Sequence, residues 1–296
     1  MAEKKVDVSI IIPAKNEERT IQKCLEAVFR QKTAHAYEII LIDSGSTDGT
    51  IGAAGEFLGV TTIRIKPEEF GHGRTRNLGA GKAKGEFLIF LNADAWPADE
   101  HWLDSLISGF ETDEAVAGVY SRHFPKEGAP LYMVRDLEKS MPRSRMVRER
   151  VGKLDFALFS TVSGAMRKSV WRKFPFDEKV PIAEDQEWGE RVLREGYRIV
   201  YEPSSAVFHS HRYSPRQMFR VKYQVGKAGR AMGRRFHGPF SGLAAMAGGI
   251  IFKISGDVPF IMSSGLPFRQ KMRELGESMA ARAASFAGRY IGSLSK

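Results

Sequence analysis

Cysteine is nearly missing from this chain of 296 residues: Cys24 stands alone, which excludes an internal disulfide framework and a thiolate cluster for structural zinc. A lone thiol suits a reducing cytoplasm, and its place in TIQKCLEAVF, on a helix face, marks it as a buried structural group. Long apolar runs are missing too. The longest uncharged one, Pro239 to Phe252, has 14 residues, against the about 20 a membrane-spanning helix needs, so it reads as a core or interfacial segment. No apolar signal region precedes the first strand in MAEKKVDVSIIIP, and the expected location is the cell interior. Two nucleotide signatures are also lacking. The first strand runs into PAKNEE rather than a G-x-G-x-x-G turn, and GHGRTRN has no Lys-Ser/Thr pair to hold a triphosphate and its metal.

What is present is the composition of a folded protein, 43% hydrophobic and 27% charged. The net charge of +10 is concentrated late. After residue 200 there are 15 Lys and Arg against 4 Asp and Glu, a net +11, which leaves the first 200 residues at −1. A basic stretch interleaved with Phe and Met suits an anionic membrane surface or a nucleic acid, with a solvated charged face as the plain alternative.

The first hundred residues alternate between two periodicities. VSIIIP (8–13) and EIILID (38–43) are continuous apolar runs of strand length, and TTIRI (61–65) and FLIFL (87–91) supply two more strands. Asn16 to Arg30 carries Ile21, Leu25, Val28 and Phe29 at helical spacing, and Arg74 to Lys84 is a second helical stretch. Strands alternating with helices predict a mainly parallel α/β sheet with helices on both faces. In such sheets ligands collect outside the carboxyl ends of the strands, which singles out two acids. Asp43 ends the second strand ahead of the turn SGSTDGT, and Asp94 follows FLIFL in Asn92-Ala93-Asp94. A hard divalent cation holding a diphosphate needs oxygen donors of this kind; the alternative is a carboxylate that turns the chain.

Taken in order, VSIIIPAKNEERTIQKCLEAV, EIILIDSGSTDGT and GRTRNLGAGKAKGEFLIFLNADAWPADEHWL resemble the family 2 glycosyltransferases of GT-A fold. The segments SGAMRKSVWRKFPFDE and IAEDQEWGERVLREGYRIVYEP resemble its rhamnosyltransferase-like branch. The resemblance covers about residues 6 to 212. It implies a domain over 1–213, with a donor half to about 100 and an acceptor half beyond, and a basic helical extension over 214–296. It also implies a nucleoside-diphosphate sugar, of dTDP-rhamnose or UDP-sugar type, as donor. Pro13, Lys15 and Glu17 match the donor loop, and Asp43 with Ser44 the pair at base and ribose. Arg74, Arg76 and Asn77 match the stretch along the donor phosphates, where guanidinium groups suit phosphate oxygens. Asn92-Ala93-Asp94 matches the family's D-x-D with Asn for the first acid, so Mg2+ or Mn2+ would rest on Asp94, the diphosphate and water.

Asp185 matches the acid that deprotonates the acceptor hydroxyl, ahead of a helix over Trp188 to Glu195, with Glu184 assisting. The resemblance further implies inversion by a single displacement. Of His209 and His211, the first is favoured as an added metal ligand. Ser163, Gly164 and Ala165 leave room for an acceptor, and Trp188 either stacks on a sugar or sits in the core. Arg143, Arg145, Arg148 and Arg150 form a basic insertion that faces the acceptor or a lipid diphosphate. The expected acceptor is a glycan or polyprenyl-linked saccharide, and the tail contacts an anionic membrane at the cytoplasmic face, with homodimerisation through the same surface as rival. Nucleic acid is not expected, because the basic charge lies outside the patterned domain. The competing function is a sugar-nucleotide-binding protein without catalysis, favoured by the lost first acid.

Overall fold

The apolar runs fold as strands. The computed structural model describes residues 5–111, 113–152, 158–231 and 239–295. In chain order its elements are β1 (Val8–Ala14), α1 (Ile21–Phe29), β2 (Tyr37–Asp43), α2 (Thr50–Gly55), β3 (Val60–Arg64), α3 (His72–Lys82), β4 (Phe87–Leu91), β5 (Trp96–Pro97), α4 (Trp102–Ser108) and β6 (Val116–Phe124). There follow α5 (Leu131–Ser140), β7 (Met146–Arg148), β8 (Ser163–Arg167), α6 (Lys168–Lys173), α7 (Glu184–Arg194), β9 (Arg198–Phe208), α8 (Pro215–Ala231), α9 (Pro239–Met262) and α10 (Phe268–Leu294).

These elements belong to two units. One comprises residues 1–124, 141–179 and 184–209; the other comprises 125–140, 180–183 and 210–296. The division is interleaved, where a contiguous one at residues 213 and 214 was expected: α5, from the middle of the chain, belongs with the C-terminal helices.

In the first unit a sheet runs in the order β3-β2-β1-β4-β8-β6-β9-β5, with β7 on β9. β1 is parallel to both β2 and β4, while β8 is antiparallel to β4 and β6. Strands of a sheet covered on both faces need apolar side chains on both, which is why β1 and β4 read as unbroken runs. One face packs Ile10, Ile12, Ile89 and Leu91 with Leu25 and Val28 of α1. The other packs Ile11, Leu88 and Phe90 with Phe176 and Trp188. α3 lies close on that second face because Gly79 has no side chain; a Cβ there would come within 2.5 Å of Ile11. Growth of the sheet reverses at β1, since β2 and β3 lie to one side and β4 to the other. The loops after β1 and β4 therefore flank a topological switch point, where open α/β sheets bind ligands.

In the second unit α8, α9 and α10 pack together with α5. The predicted 14-residue apolar segment is part of a longer helix: α9 has 24 residues, and Gly242–Met262 is long and apolar enough, by length and composition, to cross a membrane. The segment was underestimated because Lys253 and Asp257 interrupt the run, and both are paired within the unit.

Candidate active site

Asp94 owes its place to two strand pairings. Asn92 N–H donates to Val162 O as β4 leaves its pairing with β8, and the chain turns at Ala95 N–H to Asn92 O. Trp96 and Pro97 then pair antiparallel with Phe208 and Val207 of β9. That pairing brings the turn before Trp96 beside the residue after Phe208, and there Asp94 meets His209: Nε2 lies 3.5 Å from Oδ1, and both side chains are 13% exposed. Two adjacent donors on one ion, each about 2.1 Å from it, stand about 3.0–3.4 Å apart. A carboxylate and an imidazole at this spacing fit one divalent cation. His211, the other candidate, lies in the second unit.

Asn92 does not wait for a metal. Its Oδ1 accepts from Arg76 Nη2 at 3.1 Å, and Arg76 Nη1 pairs with Glu184 Oε1 at 2.8 Å. Arg76, 6% exposed, also donates to His72 O. One guanidinium thus ties the end of β4 to the start of α7. Arg76, expected along the donor phosphates, has its charge engaged by the buried Glu184 carboxylate. Arg74 is exposed and lines a cleft of about 380 Å³ with Glu69 and Glu178.

α7 begins at Glu184, four residues earlier than expected, which puts Asp185 in its first turn. The carboxylate accepts from Thr161 N–H at 3.3 Å and from Gln186 N–H at 2.8 Å. Burial, and then the negative charge of Glu184, raise its pKa to about 6, against the lowering pull of Arg76 and those N–H donors. A carboxylate in that range is poised as a general base. His72 beside it is pushed down to about 4 by burial and Arg76, and is neutral at pH 7.

At the first two strand ends the loops are knitted to each other. Asp43 is fully buried and accepts from Gly45 and Ser46 N–H, while Ser44 Oγ donates to Ala14 O. Glu17 N–H donates to Thr50 Oγ1, and Glu17 Oε2 accepts from Thr20. Pro13 is half-buried at the end of β1 and Lys15 is exposed just beyond it.

Several expected site residues belong to the core. Trp188 is fully buried, packs on Phe159 and donates Nε1–H to Phe174 O, so it stacks on no sugar. Asn77 is half-buried and spends its amide on Phe176 and Glu178 as donor and on Trp171 and Phe176 as acceptor, which fixes α3 to the segment before α7. Ser163 lies in a buried hydroxyl chain with Trp102, Ser121 and Ser205. Gly164 is small for its neighbours' sake, since a Cβ would stand 2.3 Å from Ser160 O, and Ala165 is core. The basic insertion is partly sheet: β7 pairs with β9, and Arg145 is engaged by Glu202.

Two histidines escaped the sequence reading. His123 stacks edge-on against His209 with ring centroids 5.7 Å apart, and burial, then His209, push its pKa down to about 3. That ring is neutral near pH 7 and packs against His209. The signal, a polar residue in the strand VAGVYSRHF, was available; its partner was not. His72 opens α3.

The chain matches the Glycosyl transferase family 2 model over residues 9–174. It is 31% identical over 226 residues to the O-antigen chain rhamnosyltransferase RfbN of Salmonella typhimurium, covering 74% of this chain and 71% of that relative. To the O-antigen chain rhamnosyltransferase WbaN of Salmonella anatum it is 33% identical over 205 residues, covering 67% and 64%. The chain thus spans about two thirds of those relatives' length. Among solved structures it resembles the mannosyltransferase PcManGT of Pyrobaculum calidifontis in complex with GDP-Man and Mn2+, with a TM-score of 0.61 at 17% identity over 96% of this chain and 84% of that one. It also resembles TarS of S. aureus in complex with UDP-GlcNAc, with a TM-score of 0.58 at 18% identity over 92% and 71%. These two likenesses carry the fold, and the fold is GT-A. With more than half its length in the family model and rhamnosyltransferases above 30% identity as relatives, the chain belongs to the family 2 glycosyltransferases, in their rhamnosyltransferase-like branch.

Proposed function

We infer that the protein transfers a sugar from a nucleoside-diphosphate sugar, of dTDP-rhamnose or UDP-sugar type, to a hydroxyl of a glycan or polyprenyl-linked acceptor, with inversion at the sugar carbon. The product is part of a cell-surface polysaccharide, made at the cytoplasmic side of the membrane. One observation carries this: Arg76 touches Asn92 on one side and Glu184 on the other, joining N-A-D and E-D-Q in one site.

Asp185 takes the proton from the acceptor hydroxyl as its oxygen attacks the sugar carbon; an alcohol alone is a weak nucleophile. Thr161 and Gln186 N–H groups hold the carboxylate in place, and burial, and then Glu184, keep its proton affinity high enough for the task. Asp94 and His209 would hold Mg2+ or Mn2+, which neutralises charge on the departing nucleoside diphosphate. Pro13, Lys15 and Glu17 would meet the donor's nucleoside end, with the buried Asp43 and Ser44 shaping the loop beneath it, and the exposed Arg74 would meet its phosphates.

The test is nucleoside-diphosphate release from dTDP-rhamnose, UDP-sugars and GDP-sugars, with Mn2+ and an acceptor extract. Transfer that vanishes in Asp94→Ala and in Asp185→Ala, with donor binding retained in the latter, is the expected result. Full activity in both variants would remove the site assignment, and tight donor binding without turnover would favour a binding protein.

A further inference from the structure

α9 is amphipathic the wrong way round for water. Its inward stripe carries the charges. Lys253 Nζ pairs with Asp136 at 2.9 Å, and Asp257, fully buried, accepts from Arg135 at 2.9 Å and from Arg282 Nε at 2.8 Å. Ser278 adds a hydrogen bond to the same carboxylate. The outward residues from Leu243 to Met262 carry no charge at all: they are Leu243, Ala244, Ala245, Ala247, Gly248, Ile251, Phe252, Ser255, Val258, Pro259 and Met262. Ile251 is 68% exposed and Phe252 73%. The single hydroxyl on this face turns inward, since Ser255 donates to Phe252 O, and Ser263 at the helix end does the same to Phe260 O. A water-facing helix surface of this length ordinarily carries charged or polar side chains, and a continuous apolar one marks an interaction site.

The charge of the surrounding unit indicates what covers it. The helix leads into Phe268, 70% exposed, followed by Arg269 and Arg273 on the exposed side of α10. Residues after 200 carry a net +11. An apolar face in a strongly basic unit complements an anionic lipid surface, where acyl chains take the side chains and headgroups take the cations. A second copy of the chain would bring like charge to like charge. Crossing the bilayer is excluded by the partners of α9, because Asp257 and Lys253 hold it to Arg135, Asp136 and Arg282, and the helix bearing Arg282 has charged residues along its length.

We propose that α9 docks in the plane of an anionic membrane leaflet, with Ile251 and Phe252 inserted among the acyl chains and its charged stripe held by α5 and α10. The assignment stands apart from the transfer reaction and survives if that reading fails.

The experiment is flotation of the full chain with vesicles of phosphatidylcholine, with and without phosphatidylglycerol, for the wild type and for Ile251→Glu/Phe252→Glu. The wild type should float with the anionic vesicles. The double variant should lose roughly a hundredfold in partitioning, as expected for two large side chains withdrawn from the acyl region. Its far-ultraviolet spectrum and melting temperature should stay unchanged, because both positions are exposed. Failure of the wild type to float, or equal flotation of the variant, would overturn the docking. So would a lipid-independent dimer that the same substitutions dissolve. Resistance of the bound protein to alkaline carbonate extraction would overturn the in-plane placement.

Discussion

Asp185→Asn should make this protein more stable while abolishing its activity, and the gain should depend on pH. In the fold the Asp185 carboxyl has a pKa of about 6, against an ordinary value of 3.8. The folded state therefore binds the proton more tightly than the unfolded chain does. Below about pH 4 both states are protonated and the group is neutral to stability. As the pH rises from about 4 to about 6, the unfolded chain releases its proton first, and stability falls. Above about 6 the loss is complete, a gap of about two pH units that corresponds to about 3 kcal/mol.

Asparagine removes that cost but cannot accept both hydrogen bonds. Its amide must face either Thr161 N–H or Gln186 N–H, and the Thr161 contact is the longer at 3.3 Å. Forfeiting that one costs about 1 kcal/mol. The net gain near neutral pH is about 1–2 kcal/mol, or roughly 2–8 °C in melting temperature for a chain of this size. Calorimetry at about pH 4 and about pH 7.5 tests it, with the advantage confined to the higher pH. Turnover should fall by about 100-fold or more, the usual contribution of a general base. An Asn variant less stable than the wild type near neutral pH, or equally shifted at both pH values, would refute the idea that burial and Glu184 load Asp185.

Three further outcomes follow from the contacts. His209→Ala should weaken Mn2+ binding about tenfold or more, and Asp94→Ala should weaken it further, read from the electron-spin signal of free Mn2+. Trp188→Phe should leave acceptor KM unchanged, and Trp188→Ala should cost about 3–5 kcal/mol in denaturant unfolding, because the indole is wholly buried. Asp257→Ala should destabilise the helical unit by about 3–5 kcal/mol, since Arg135 and Arg282 would then lack their shared carboxylate, and limited proteolysis should begin in that unit.

Where the sequence could be read, the information was local. Apolar runs placed β1, β2 and β4 to within a residue or so, because a strand covered on both faces packs apolar side chains on each, whereas β3 is a partly exposed edge strand carrying Thr61, Thr62 and Arg64. α1 begins at Ile21 rather than Asn16, because the chain before it is held in a loop by Ser46, Thr47 and Thr50 instead of by helical bonds. Several site candidates have partners far along the chain. Asn77 is bound by groups 94 to 101 residues away, and Ser163 by Trp102 at 61. No spacing rule reports such partners, and a polar residue in a matching motif looks the same whether it faces a ligand or a neighbour.

Asn92 shows how far that ambiguity reaches. Read along the chain, it is a D-x-D missing one acid. In the fold its carbonyl oxygen accepts from Arg76, whose other nitrogen pairs with Glu184. A second carboxylate at position 92 would compete with Glu184 for the same guanidinium and place another negative charge near Asp185, which one acid neighbour already raises. Asn keeps the hydrogen bond without adding the charge. The residue that looks like a loss for the metal is consistent with a base that must not be raised further, and Asn92→Asp should move the acidic limb of the pH–rate profile upward.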